Sequence, residues 1–325
     1  MGNLTKKAIL VVSFGTSHED TRKVTIDAIE ETIGAAFPQY RIYRAWTSKM
    51  ILAKIEKRDH IHYDNVKEAM ERMAQDGIEE VIVQPTHVMN GVENDLMKAD
   101  VLAAANHFQS VKFGNPLLTT EEDNAYVVKT ITDVFPVIQD KKTALVLMGH
   151  GTEHYANTVY AALDYRFKDM GYENVIVATV EGYPEIDQAL NQLEKSDAKK
   201  VVIAPFMIVA GDHAKNDMAG EEADSWKNVI GAKGYKVDPT DTNRNITLTV
   251  STGYSQTVPS VVGLTPDSAK SNLENLGFTV SMEGTQFPES GGDERYIGAV
   301  YKQSIAAGTK VDKKGTTITI YYYED

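Results

Sequence analysis

The sequence of 325 residues contains no cysteine, and this absence excludes several classes of site. Disulfide scaffolds, thiolate metal centres and thiol nucleophiles cannot be built, so a metal ion must be bound by His, Asp or Glu. Long apolar runs are also lacking, and no stretch approaches the ~20 residues of a membrane-spanning helix. The apolar run at residues 8–12 is too short for the core of a signal peptide, so we expect a cytoplasmic chain.

An excess of basic residues is lacking as well. The chain has 33 Lys and Arg against 46 Asp and Glu, a formal net charge of −13, so nucleic acid is not an expected partner. An acidic surface instead attracts cations. The sequence has no Gly-x-Gly-x-x-Gly, Walker or Gly-x-Ser-x-Gly pattern, which argues against a nucleotide cofactor and against a serine nucleophile.

Up to about residue 238, short apolar runs alternate with amphipathic segments of helical period. The apolar runs are rich in β-branched residues, as is typical of strands buried on both faces of a parallel sheet. This order predicts an α/β fold with doubly wound parallel sheets. Strands are predicted at residues 8–14, 41–46, 80–84, 111–113, 144–148, 175–180 and 200–205. Helices are predicted at residues 21–36, 65–74, 117–135 and 155–170, the first introduced by the capping-box pattern Thr16-Ser17-His18-Glu19.

The same region contains an internal repeat. Phe14-Gly15-Thr16-Ser17-His18 aligns with His150-Gly151-Thr152-Glu153-His154 at an offset of 136 residues (150 − 14). A second pair of segments, which begin at Gln84-Pro85 and Ala204-Pro205, aligns at an offset of 120 residues (205 − 85). We therefore predict two similar α/β halves, residues 1–120 and 121–238, that face each other across a cleft. The repeated motifs follow strands, where open α/β sheets bind ligands.

Three side chains at strand ends of the second half are the candidate site. His150 lies between Gly149 and Gly151, Glu181 follows the strand at 175–180, and His213 follows the strand at 200–205. Each alone has an ordinary structural explanation as a cap, a helix-start carboxylate or a structural histidine. Together, two imidazoles and one carboxylate suit a first-row divalent metal ion. In the first half Phe14 takes the place of His150, so only the second half is predicted to carry the site. His154, which follows at the predicted helix start, is expected to pack against neighbouring residues or to cap the helix.

The pattern changes after residue 238. Residues 239–256 are interpreted as a linker with a short strand at 246–250, and residues 257–325 as a small α+β module. Within the module, Thr265-Pro266-Asp267 predicts the start of a helix and Gly277 its end. Strands are predicted at residues 278–282, 299–303 and 316–322.

Motifs of the first part resemble those of the sirohydrochlorin cobaltochelatases of anaerobic cobalamin biosynthesis. The resemblance runs from about residue 6 to 237 and is carried by residues 10–17, 44–48, 148–151, 180–185 and 209–219. It implies a class II chelatase, which has two flavodoxin-like halves and is an ATP-independent lyase with no nucleotide cofactor. Such an enzyme inserts Co²⁺, its substrate metal, into sirohydrochlorin.

Carried over to this sequence, the resemblance implies that His150 is the proton acceptor and that His150, Glu181 and His213 bind the metal. Metallation of a tetrapyrrole releases two protons, and a histidine of ordinary pKa accepts a proton at cellular pH. Cations at the cleft rim such as Arg44 are expected to contact the carboxylates of the substrate.

The C-terminal segments at 258–264 and 306–311 resemble a PASTA module, a type found outside cells on penicillin-binding proteins and Ser/Thr kinases. Residues 245–250 are similar to its last strand at 317–322, which suggests the remnant of a preceding copy. The Gly-Leu-Gly-Glu-like loop expected of a chelatase after Val237 is absent. The module implies an extracytoplasmic role and a peptidoglycan contact, in tension with the cytoplasmic expectation.

Two alternatives to a cobaltochelatase stay open. The same ligand types serve a ferrochelatase or a nickel chelatase, because ligand type alone does not select among first-row metals. The second alternative is a non-catalytic envelope protein that binds a tetrapyrrole or a metal and is anchored by the C-terminal module. The oligomeric state, including a homo-oligomer, is left open by the sequence.

Overall fold

The computed structural model describes residues 6–209, 211–239, 255–288, 293–312 and 316–324. The chain divides into two compact units, Met1–Leu248 and Thr249–Asp325. The strand expected at residues 246–250 lies outside the described residues. None of the helices within the described ranges is long and apolar enough to cross a membrane.

The first unit contains two parallel four-stranded sheets of the same topology. The first sheet has the order β2-β1-β3-β4 and the second has the order β6-β5-β7-β8, as the predicted α/β architecture requires. The strands of the first sheet are β1 (Lys7–Ser13), β2 (Arg41–Trp46), β3 (Glu80–Pro85) and β4 (Ser110–Phe113). Those of the second are β5 (Thr143–Gly151), β6 (Val175–Glu181), β7 (Lys200–Pro205) and β8 (Lys236–Pro239).

Helices pack on both sheets. Those up to β4 are α1 (Glu19–Arg22), α2 (Ala28–Ala36), α3 (Lys49–Asp59), α4 (Val66–Gln75) and α5 (Val92–Ala104), with a π-helical turn at Lys23–Asp27 between α1 and α2. The later ones are α6 (Glu121–Val134), α7 (Thr158–Asp169), α8 (Ile186–Glu194) and α9 (Trp226–Ala232). The expected capping box before α1 was wrong: His18 is the N-cap residue, and its side chain makes no capping hydrogen bond.

Strand register confirms the internal repeat. Val12 of β1 pairs with Pro85 of β3, and Met148 of β5 pairs with Pro205 of β7. These pairs differ by the same offsets of 136 and 120 residues as the sequence motifs. The loops that follow the strands also repeat, since the Thr86 amide donates to the Val12 carbonyl at 2.8 Å and the equivalent Phe206 amide donates to Met148 at 2.7 Å.

The buried cores of the two sheets are separate but adjoin. One face of the second sheet packs with α6 and α7 around Leu145, Tyr160 and Phe167, and Val88 and Met89 from the loop after β3 pack against the same core. The first unit therefore includes both sheets as one compact body, and the predicted boundary at residue 120 stays a prediction.

The second unit has its own small core. It comprises β9 (Ser255–Thr257), α10 (Pro266–Asn275), β10 (Thr279–Thr285), β11 (Val300–Gln303), β12 (Lys310–Asp312) and β13 (Thr317–Tyr323). Thr265 accepts a hydrogen bond from the Ser268 amide and caps α10, and Gly277 follows the helix with a φ of +88°, both as predicted. The α+β module expected from the sequence is confirmed.

Candidate metal and proton-transfer site

His150 lies at the end of β5, and the two glycines beside it are required by close contacts. The predicted strand ended at Met148, whereas β5 continues to Gly151, which pairs with Glu181 at the end of β6. A Cβ at Gly149 would be 2.4 Å from the Tyr160 ring, and a Cβ at Gly151 would be 1.6 Å from the Glu181 carbonyl oxygen. Only glycine allows this approach, and at Gly151 φ is also +83°.

Two residues that the sequence interpretation did not single out hold this strand end in place. Tyr160 of α7 is buried beneath it; burial raises its pKa to about 12, and backbone hydrogen bonds from Gly151 and His150 act in the opposite direction. Asn157 accepts a hydrogen bond from the Thr152 amide at 3.0 Å and donates to the Tyr183 carbonyl at 2.5 Å. The turn after β5 is thereby tied to the loop after β6.

His213 lies after β7, at the start of the π-helical turn Ala214–Met218. Its Nδ1 is 2.6 Å from the carboxylate of Asp217, one helical turn later. A carboxylate only accepts hydrogen bonds, so Nδ1 carries the hydrogen and Nε2 presents its lone pair. A carboxylate behind a ligating histidine is the usual arrangement at metal sites.

The structure brings the three predicted residues together. One ligand atom from each of His150, Glu181 and His213 lies within 4.8 Å of the others. The two Nε2 atoms of the histidines are 3.1 Å apart, with the rings edge to face, and Nδ1 of His150 is 3.9 Å from the Glu181 carboxylate. His150 and Glu181 are exposed and His213 is partly exposed, so the site is open to solvent.

Hydrogen-bond partners orient both imidazoles toward one point. Nδ1 of His150 is 2.9 Å from the Gly151 carbonyl oxygen, an acceptor, which places the hydrogen on Nδ1 as it does in His213. The two Nε2 atoms, which these tautomers leave without hydrogens in the neutral rings, lie 3.1 Å apart. That arrangement is stabilised by a proton or a cation between them.

The first half offers no counterpart of His150, as predicted. Phe14 stands at the equivalent position and is 42% exposed. His154 caps the 3₁₀ turn after β5, since its Nδ1 accepts a hydrogen bond from the Ala156 amide at 3.2 Å, which confirms the capping role.

Arg44 does not match the expected role of contacting substrate carboxylates. Its guanidinium donates to both carboxylate oxygens of Glu30 and forms an ion pair with Asp27. Burial raises the pKa of Glu30, with the guanidinium acting against it. Because both carboxylates are intramolecular and partly buried, the charge of Arg44 is already neutralised within the fold.

Another group of metal-type ligands occurs at His62, Asp64 and Glu68. Here the carboxylates have structural partners: Asp64 pairs with Arg72 at 2.6 Å, and Glu68 accepts from the Asn65 amide at 2.9 Å in the capping box of α4. The carboxylates of this group are close together because they make structural contacts at the start of α4.

Comparison with known proteins agrees with the fold. The family model described as cobalt chelatase (CbiK) matches residues 7–245, and the PASTA domain model matches residues 256–324. The sirohydrochlorin cobaltochelatase of Salmonella typhimurium is 36% identical over 234 residues, which is 72% of this chain and 88% of that protein. The sirohydrochlorin cobaltochelatase CbiKC of Nitratidesulfovibrio vulgaris is 30% identical over 241 residues, 73% of this chain and 83% of that protein.

The solved structure of SirB from Bacillus subtilis with Fe³⁺ has the same fold, with a TM-score of 0.52 at 15% identity, over 74% of this chain and 92% of that one. With both sheets, the paired histidines and the sequence matches in agreement, the chain belongs to the cobalt chelatase (CbiK) family and carries a C-terminal PASTA domain.

Proposed function

We propose that this chain is a sirohydrochlorin cobaltochelatase, in which His150, Glu181 and His213 bind the incoming Co²⁺ and His150 accepts a proton from the ring. The observation that carries the proposal is the pair of Nε2 lone pairs held 3.1 Å apart by hydrogen bonds on the opposite side of each imidazole. The names of the two curated relatives support cobalt as the metal and sirohydrochlorin as the tetrapyrrole.

The spacing of the imidazoles fits a six-coordinate ion. Metal-to-imidazole nitrogen bonds are about 2.1 Å long. Two nitrogens 3.1 Å apart at that bond length subtend an angle of about 95° at the ion, close to the cis angle of an octahedron. The exposed Glu181 side chain has room to turn toward the same ion and supply an oxygen.

Few protein ligands favour transfer of the metal. Three ligands in an open site leave half of an octahedron for water and for the pyrrole nitrogens of the acceptor. Four ring nitrogens then replace the protein ligands, and a more enclosed site would retain the ion instead.

Proton transfer follows from the same geometry. Insertion of a divalent ion releases two protons from the ring, and Nε2 of His150, which is freed when the ion moves to the ring nitrogens, can accept one of them. A positioned general base contributes about 10²–10⁴-fold to a rate. The proton then passes to solvent, which reaches the site because it is open.

A role for the PASTA domain in anchoring the enzyme is part of the same proposal. Tyr301 and Tyr323 stack with ring centroids 4.3 Å apart, and Phe287 meets Tyr323 edge to face at 5.0 Å. An aromatic face of this kind supplies contact area for a glycan such as peptidoglycan. Co-sedimentation of the intact chain with purified peptidoglycan tests the anchor, and loss of sedimentation in Tyr301→Ala is the expected result.

The function is tested by turnover of the intact chain. Sirohydrochlorin is mixed with Co²⁺, Ni²⁺ or Fe²⁺, and the change in tetrapyrrole absorbance is followed. Cobalt insertion is expected to be fastest, and His150→Ala is expected to lower its rate by about 10²-fold or more. Tight tetrapyrrole binding without product would favour a non-catalytic binding protein, and equal rates for the parent and His150→Ala would remove His150 from catalysis.

A further inference from the structure

Two histidines outside the metal site occupy equivalent places in the repeat. His18 and His154 are separated by 136 residues, the offset that relates the two sheets. Their backbones are held in the same way: the His18 amide donates to Thr16 Oγ1 at 3.2 Å, and the His154 amide donates to Thr152 Oγ1 at 3.2 Å. Both copies of the repeat therefore have a histidine at this position. At the position of His150, by contrast, the first copy has Phe14.

Each of these histidines contacts an aspartate of the other half. His18 Nε2 is 3.4 Å from Asp212 Oδ1, and His154 Nε2 is 3.6 Å from Asp95 Oδ2. The aspartates lie in equivalent regions, one after β7 and one at the start of α5 after β3. The two contacts therefore cross between the halves in opposite directions.

The histidine nitrogens that point to the aspartates act as donors. In His154, Nδ1 accepts a hydrogen bond from the Ala156 amide, so the neutral ring carries its hydrogen on Nε2, toward Asp95. In His18, Nε2 is buried and makes no hydrogen bond among the described residues, so it is available to donate to Asp212. The two separations exceed a hydrogen-bond length of about 2.9 Å by about 0.5 and 0.7 Å, so a small approach of the halves completes both bonds.

We propose that the His18–Asp212 and His154–Asp95 contacts form a reciprocal clasp that closes the two halves around the bound tetrapyrrole, with His18 and His154 as positioning residues. The proposal rests on the chelatase function proposed above. Asp212 immediately precedes His213, and His154 ends the turn that follows His150, so the clasp fixes both segments that carry the imidazole ligands. The first half, which has no ligand of its own among the three, thereby sets the geometry of the site.

The clasp is tested by paired substitutions in the intact chain. His18→Ala is expected to raise the KM for sirohydrochlorin by about tenfold with little change in kcat, because the completed contact belongs to the substrate-bound state. His154→Ala is expected to behave alike. His18→Gln, which keeps a donor at the position of Nε2, is expected to restore the parental KM. The exposed His107→Ala serves as the control and is expected to match the parent.

Double substitutions separate a clasp from two independent structural roles. His18→Ala combined with Asp212→Ala is expected to be no worse than either alone, because each substitution removes the same contact. Amide hydrogen exchange of residues 211–218 in the presence of sirohydrochlorin and the absence of metal is expected to quicken in His18→Ala. This readout needs no turnover, so it stands even if the parent inserts no metal and the chelatase proposal fails. Additive losses, or unchanged exchange with no rescue by His18→Gln, would overturn the clasp.

Discussion

At the scale of single residues, the chemistry of the site depends on which ring nitrogen carries the hydrogen. The Gly151 carbonyl and the Asp217 carboxylate take the Nδ1 hydrogens of His150 and His213, so that both Nε2 atoms are free to bind a cation. The Gly151 carbonyl belongs to the backbone and stays after a substitution, whereas the Asp217 carboxylate can be removed by one.

Asp217→Ala is expected to weaken Co²⁺ binding by about 10–100-fold, because His213 loses the partner that fixes its tautomer and ring orientation. Titration with Co²⁺ in the absence of tetrapyrrole measures this loss. Asp224→Ala, which removes an exposed carboxylate from the same region, is the matched control. If both variants weaken binding equally, Asp217 contributes only to the overall negative charge.

His87 is a second residue whose protonation matters, but for stability. It follows β3, neither ring nitrogen has a hydrogen-bond partner among the described residues, and burial lowers its pKa to about 4. Between pH 6.5 and 4 the unfolded chain binds a proton that the folded chain does not, so the free energy of unfolding falls as pH falls through this window. The loss attributable to His87 is at most about 3 kcal/mol.

Urea unfolding of the parent and His87→Phe between pH 7.5 and 4.5 measures this dependence. The variant is expected to show a shallower decline of the free energy of unfolding below pH 6.5, whereas His107→Gln is expected to follow the parent. An unchanged slope in His87→Phe would mean that burial does not lower the pKa of His87 in the folded chain.

At the scale of elements, the ends of strands carry the site. The parallel pairing of β5 with β6 continues to Gly151 and Glu181, which brings the backbone next to His150 against the predicted carboxylate ligand. Two ligand segments therefore share one edge of the second sheet, and a change in their register alters the metal site.

Gly151→Ala is expected to disrupt this edge. Gly171 has a similar φ of +87° with nothing within 4 Å of an added Cβ, so Gly171→Ala isolates the backbone penalty, about 1–2 kcal/mol. Gly151→Ala carries the same penalty plus a collision with the Glu181 carbonyl. We expect a larger loss of thermal stability than in Gly171→Ala together with loss of Co²⁺ binding. Equal effects of the two substitutions would contradict the close approach.

The sequence predicted elements best where burial is two-sided. Strand β7 was predicted at its observed bounds because its apolar run is buried on both faces, whereas β5 was ended too early at Met148 since Gly-His-Gly has no strand pattern. Four helices, α3, α5, α8 and α9, were not predicted. In α3 only Ile55 is buried, so charged residues such as those at 54–58 mask its period.

Contacts of the site were less predictable than its residues. The i,i+4 spacing of His213 and Asp217 was visible in the sequence, but their hydrogen bond was not predicted. The ion pairs of Arg44 were not predicted, because a strand sequence does not reveal that Asp27 and Glu30 of the neighbouring helical segment reach its guanidinium.

At the scale of the whole molecule, the chelatase part and the PASTA domain are separate compact units with separate cores. A chain ending at residue 248 is expected to keep the parental kcat and KM for metal insertion. In calorimetry the full chain is expected to show two transitions and the shortened chain to lack one, because each unit unfolds cooperatively by itself. A shortened chain that no longer folds would show that the domains depend on each other.

The duplication of the sheet has left an unequal pair. All three candidate ligands belong to the second half, and Phe14 takes the place of His150 in the first half. If the proposed function holds, an ion bound by these residues enters a ring bound between the halves from one side only. The choice of metal and the fit of the macrocycle then depend on different halves of the same gene, so either can change by mutation while the other is kept.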